Sequence, residues 1–221
     1  MKLKIVSLQG LSSPFITNKN PINLIRRLVM MVLLILPGWF SFASDPAKPI
    51  SLSHPFNGKD LTGWGSLETQ NKKTIFEPFD GKQESKDGRF TGKKRILAIN
   101  PWNEAKGPHW VNLWTAEEYP GDFSLSLEFR ASVNADSGIF LRGKQLQCRD
   151  YLVAGPYKTL KKYKAQDWNK LEVIVKDNVA RCTCNGEVLE EAFPLPPTGR
   201  LGIEADRGLM EYRKIHVKIL K

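Results

Sequence analysis

Cysteine is scarce in this chain, with only Cys148, Cys182 and Cys184 among 221 residues. Three thiols cannot all pair within one chain, and no finger-like ligand spacing is present to hold structural zinc. Cys182 and Cys184 fall two apart in an apparent strand and are poorly placed to bridge each other. A Cys148 bridge to either one, or three small buried thiols, are the two remaining arrangements. Sustained helical periodicity is missing as well: after residue 43 no segment keeps a capped 3.6-residue apolar period. Internal repeats and low-complexity tracts are absent. So are the strings Gly-x-Ser-x-Gly and His-Glu-x-x-His, and a phosphate-cradling glycine loop. The Glu-x-Asp-x-x-Glu strand, which in an ordinary glucanase delivers two carboxylates and a helper to one groove, is missing too.

What is present suits one soluble domain with an N-terminal extension. The residues are 41% apolar, 25% charged and 10% aromatic, which excludes a disordered chain, a collagen-like repeat and a polytopic membrane protein. The net charge of +10 invites a nucleic-acid reading. Half of that excess lies in residues 1–43, which hold Lys2, Lys4, Lys19, Arg26 and Arg27 and no acid. The later clusters Lys72-Lys73, Lys93-Lys94-Arg95 and Lys161-Lys162 are scattered among acids, as on a solvated surface, so no nucleic-acid partner is expected.

Arg26-Arg27 precede an apolar run from Leu28 to Phe42 that ends in Ser41-Phe42-Ala43. A charged edge, a short apolar stretch and a small-residue exit form a secretory signal. The run is shorter than the ~20 residues a membrane span needs and is broken by Pro37-Gly38. Cleavage is expected after Ala43, with residues 44–50 a Pro-bearing linker and residues 51–221 the folded domain. The expected product is secreted or periplasmic, with no membrane span.

Within that domain the dominant signal has period two. Phe123, Leu125, Leu127 and Phe129 alternate with Ser124, Ser126, Glu128 and Arg130, as in a half-buried antiparallel strand. Leu171, Val173 and Val175 repeat the pattern, and Asp177-Asn178 and Asn185-Gly186 read as tight turns. Many short strands with hardly a helix predict an all-β sandwich or jelly roll, with a barrel as the alternative.

Strand alternation also nominates a polar face. Ile139 and Leu141 claim the core, leaving Phe140 and Arg142 opposite; Leu146 and Cys148 turn in, leaving Gln145 and Gln147 out. Glu128, Arg130, Arg142, Gln145 and Gln147 are therefore expected to neighbour one another. Trp110, Asn112 and Trp114 share a face, where two indoles and an amide suit a sugar's C–H face and hydroxyls, although both indoles equally suit core or rim packing. Glu204 and Asp206 alternate with Ile203 and Ala205. Paired carboxylates suit acid/base work or a divalent cation.

Several strings resemble a known family. His54-Pro55-Phe56-Asn57-Gly58-Lys59-Asp60-Leu61-Thr62-Gly63-Trp64 is similar to the opening of the 3-keto-disaccharide hydrolase domain family. Tyr119 to Phe123, Leu127 to Arg130 and Asp136 to Gly143 resemble its centre, and Asp167-Trp168-Asn169, Asn185-Gly186, Thr198 to Ile203 and Glu211 to Ile215 its closing strings. Together they cover nearly all of residues 54–221. The resemblance implies a concanavalin A-like lectin/glucanase jelly roll that acts on glycosides whose C3 hydroxyl has been oxidised to a ketone. A C3 ketone acidifies the C2 proton, so a base can form an enolate that expels the C1 substituent, and no carboxylate nucleophile is needed. Under that reading Glu128, Asp206 or His109 is the base, Arg142 or Arg130 steadies the enolate, and Gln145 and Gln147 orient hydroxyls. Gln145 stands where the family often carries a carboxylate, and Glu204 where it usually carries Gln. The alternatives are a non-catalytic carbohydrate-binding module using Trp110 and Trp114, and a sandwich that binds a partner other than sugar.

Overall fold

A computed structural model describes residues 52–220; the expected signal peptide, its cleavage point and the linker lie outside the described residues. Fourteen strands run in chain order: β1 (Leu52–Ser53), β2 (Trp64–Gln70), β3 (Lys73–Pro78), β4 (Phe90–Lys93), β5 (Ile96–Ile99), β6 (Val111–Glu118), β7 (Phe123–Ala131), β8 (Gly138–Leu141), β9 (Lys144–Gln147), β10 (Asn169–Lys176), β11 (Val179–Cys184), β12 (Glu187–Pro194), β13 (Arg200–Ala205) and β14 (Met210–Ile219). One three-residue 3₁₀ turn, Glu104–Lys106, precedes β6.

These strands form two antiparallel sheets. The larger runs β12-β11-β10-β7-β14-β5-β4, with β1 added alongside β14; the smaller runs β3-β2-β6-β13-β8-β9. This is the expected all-β concanavalin A-like jelly-roll sandwich. Its closed core follows from the alternation in each sheet. Phe123, Leu125, Leu127 and Phe129 of β7 and Leu171, Val173 and Val175 of β10 are buried from one side; Leu113, Ile139, Leu141, Leu201 and Ile203 are buried from the other. Each such side chain contributes about 1.5–3 kcal/mol by leaving water. Cys148, Cys182 and Cys184 are buried and unbridged. Burial pushes the Cys182 and Cys184 thiols up to about 12, so they act as small apolar side chains.

Five two-residue turns set the hairpin registers. Asn71-Lys72, Lys94-Arg95, Arg142-Gly143, Asp177-Asn178 and Asn185-Gly186 each place two successive residues at positive φ, the type I′ geometry that matches strand twist. The Arg142-Gly143 turn corrects one expectation. Arg142 has φ 51° and leaves the strand, so parity does not carry its side chain onto the polar face with Phe140.

Candidate functional site

The outward face of the six-stranded sheet is built around glycines covered by neighbouring side chains. Gly202 of β13 pairs with Trp114 on one side and Phe140 on the other. A Cβ at Gly202 would stand 2.6 Å from the Trp114 ring, so the bare backbone there lets the indole lie down toward Phe140, 4.9 Å away between centroids. Gly138 does the same for Gln145: a Cβ would meet its amide nitrogen at 2.4 Å. Lying across β8, the Gln145 amide donates to Glu204 Oε2 on β13.

Beyond this floor, at the Ala205 end of β13, three carboxylates converge. Asp206 Oδ1 accepts from Trp110 Nε1 at 3.0 Å and lies 3.5 Å from His109 Nδ1. The His109 ring stands edge-on between Trp102 and Trp110, with centroids 4.8 and 5.1 Å away. Asp136 Oδ1 accepts from Gln147 Nε2 at 2.7 Å, and its other oxygen meets Arg149 at 2.7 Å and Arg207 at 3.4 Å. Glu204, which accepts from Gln145, is near enough to both Asp206 and Asp136 to feel their charge.

Electrostatics separates the roles of these acids. Burial, then the nearby Asp206 and Asp136, raise the Glu204 carboxyl above the ordinary range, and the Gln145 bond offsets only part of this. Burial also raises Asp136, with Asp206 adding to the rise and Arg149 and Arg207 opposing it. Carboxyls that hold a proton more tightly than usual, close to the His109–Asp206 pair, suit a division between proton donor and proton acceptor. Among the described residues, no group of three His, Cys, Asp or Glu side chains is disposed to hold a cation.

Of the residues named from sequence, His109, Trp110, Gln145, Gln147 and Asp206 gather here, with Trp114 on the adjoining floor. Three others do not. Glu128 and Arg130 lie on the outer face of the other sheet, because β7 pairs with β10 and β14 there. Glu128 is held by Arg213 Nε at 2.6 Å and Lys214 Nζ at 2.7 Å, and Arg130 by Glu211 at 2.6 Å. A bulge between Arg213 and His216, with Lys214 at φ 52°, brings both cations onto the one carboxylate. Arg142 is buried, donating to the carbonyls of Tyr119, Gly121 and Pro196 and to Asn178 Oδ1. A guanidinium spent on backbone carbonyls ties loops together, and the expected grouping of Glu128, Arg130 and Arg142 with the two glutamines is not formed.

Asp136, Arg149, Arg207 and Arg89 belong to the site without having been singled out. Asp136 and Arg207 face each other in an isolated antiparallel bridge closed by two backbone hydrogen bonds. Arg89, buried, donates to the carbonyls of Asn100, His109 and Asp206 and so fixes the backbone on both sides of the His109–Asp206 pair. The alternating strand pattern carried no signal for Arg89, which precedes β4. For Asp136 the signal was its place two residues ahead of Gly138.

A search of curated proteins returns no match. Among solved structures, a protein described as a candidate glycosyl hydrolase from Parabacteroides distasonis ATCC 8503 superposes with a TM-score of 0.56 at 15% identity, covering 77% of this chain and 95% of that one. A β-glucanase from Bacillus licheniformis gives 0.47 at 9% identity, covering 79% and 100%. A carbohydrate-binding module from Bacillus subtilis gives 0.41 at 8% identity, covering 74% and 99%. The 3-keto-alpha-glucoside-1,2-lyase-like domain model matches residues 52–218, and the chain therefore belongs to that carbohydrate-processing family.

Proposed function

We propose that this protein, exported by its leader, cleaves the glycosidic bond of 3-keto-glycosides through a C2 enolate. The observation that carries this reading is the Glu204 carboxyl, raised above its ordinary range, close to Asp206 of the His109–Asp206 pair. Asp206 faces His109 Nδ1, which leaves Nε2 to take the C2 proton. The C–H electrons pass to the C3 oxygen as an enolate, which Arg207, the more exposed of the two arginines on Asp136, steadies by charge. Collapse of the enolate forms a C1–C2 double bond and breaks the C1–O bond, and Glu204 gives its proton to the departing oxygen. Release of the enone makes the protein a lyase; addition of water across it makes the net reaction a hydrolysis.

Trp110 favours a second reading. It is 69% exposed yet fixed through Nε1 to Asp206, which suits an aromatic platform for a non-catalytic carbohydrate-binding module. Purified protein incubated with 3-keto-glucosides and their unoxidised counterparts separates the two. Release of the leaving group from the keto form alone supports the enolate route. Retention of either sugar without turnover supports the module. A chelator arm reports whether a divalent cation takes part.

A further inference from the structure

The chain has three histidines, and two of them meet on the larger sheet, where the first strand of the domain lies along the last. β1 runs antiparallel to β14 with Leu52 opposite Lys218 and Ser53 opposite Val217, so the next step in that register sets His54 opposite His216. Val217 is buried, and His216 therefore points outward. The two imidazoles stand 4.7 Å apart between centroids, edge to face, and both residues are exposed. A zinc ion about 2.0–2.1 Å from an imidazole nitrogen lies about 3.2 Å from the ring centre. Two imidazoles on one ion then have centres about 4.5 Å apart at a right angle and about 5.2 Å apart at the tetrahedral angle. The observed separation falls between these values, and rotation of the exposed rings turns one nitrogen of each toward a shared point. Ser126, a neutral hydroxyl, faces His216 across β7, and Lys214 is engaged elsewhere, its Nζ donating to Glu128 at 2.7 Å.

We propose that His54 and His216 form a site for a borderline divalent metal such as Zn²⁺, with water completing its coordination, and that the metal staples the first strand of the domain to the last. Imidazole suits zinc, copper and nickel, whereas calcium and magnesium take oxygen ligands. Two protein ligands leave the site open to solvent, unlike a closed four-ligand structural zinc centre. The staple acts where the fold is thinly held, because β1 is only two residues long. A link between His54 and His216 closes a loop of nearly the whole domain, which is costly to close in the unfolded chain and already closed in the folded one. An ion that binds only the folded form therefore stabilises it by mass action. The site does not depend on the glycoside reading, since Glu204 and Asp206 belong to the smaller sheet and the loop that follows it.

Zn²⁺ titration of the protein in neutral buffer, followed by imidazole NMR and by thermal melts, tests the site. Mg²⁺ is the control, and His54→Ala, His216→Ala and His109→Ala are the variants. Zn²⁺ is expected to shift the imidazole resonances of His54 and His216, to leave those of His109 in place at concentrations that saturate the pair, and to raise Tm. Mg²⁺ is expected to do none of these. His54→Ala and His216→Ala are each expected to weaken Zn²⁺ binding at least tenfold and to remove the rise in Tm, whereas His109→Ala binds as wild type does. The NMR arm reads the wild-type protein, so the outcome does not hang on how a variant folds. No Zn²⁺ response at His54 and His216, or binding that survives either substitution at wild-type strength, overturns the site. A response confined to His109 overturns it as well and assigns the ion to the carboxylate cluster on the other sheet.

Discussion

Gln145 reaches Glu204 by lying across Gly138, so one missing side chain on β8 couples an amide on β9 to a carboxyl on β13. Because that bond favours the ionised carboxyl, its loss moves the Glu204 titration further upward. Gln145→Leu removes the donor, and Gly138→Ala pushes the flexible Gln145 side chain aside. Carboxyl-carbon NMR titration is expected to show the Glu204 midpoint higher in both variants than in wild type.

The raised Glu204 and Asp136 carboxyls also set a pH dependence of stability. Each binds its proton more tightly in the folded protein than in the unfolded chain, whose glutamate and aspartate titrate near about 4. Stability from these groups is therefore full below that pH and is lost as pH rises through the folded values. Glu204→Gln removes its share of the loss. Thermal melts are expected to place the variant above wild type at neutral pH, with the gap closing below about pH 4.

Glu128 gives the opposite sign. Burial opposes its ionisation, but the bonds from Lys214 and Arg213 outweigh burial and hold the carboxyl below its usual range. The stability it contributes is present above the unfolded value and is lost as pH falls through the folded one. Partly exposed pairs of this kind contribute up to about 1 kcal/mol. Glu128→Gln is expected to lower Tm by about 2–4 °C at pH 7. Its effect on turnover of a 3-keto-glucoside is expected to stay within about twofold, since it lies on the other sheet.

Arg142 is a stability residue on this account. Arg142→Met leaves the carbonyls of Tyr119, Gly121 and Pro196 without this donor, and an orphaned buried acceptor costs about 1–3 kcal/mol. A drop in Tm of several degrees is expected. In the fraction that remains folded, measured at a temperature well below the transition, KM for the keto sugar is expected to be unchanged.

Much of the architecture was legible because alternation is a local signal. The inward sets of β7, β10 and β13, the turns at Asp177-Asn178 and Asn185-Gly186, and the outward placement of Gln145, Gln147 and Glu204 all follow from counting residues by twos. What counting cannot supply is the sheet to which a strand belongs. Glu128 and Gln147 both point outward, yet on opposite sides of the sandwich. Parity also fails where a strand ends: Arg142 adopts the left-handed conformation required by its I′ turn, and its side chain goes to loop carbonyls. Arg89 and Asp206 lie 117 positions apart, and only the closed fold brings them together.

The most direct measurement is single-turnover cleavage of a 3-keto-glucoside by wild type, Glu204→Gln and Glu128→Gln, followed by release of the leaving group. General acid catalysis typically contributes about 10²–10⁴-fold, so Glu204→Gln is expected to slow the step by at least about a hundredfold while Glu128→Gln leaves it within about twofold. Wild-type rates in Glu204→Gln, or a loss in Glu128→Gln that matches it, would contradict the placement of the chemistry on the six-stranded sheet.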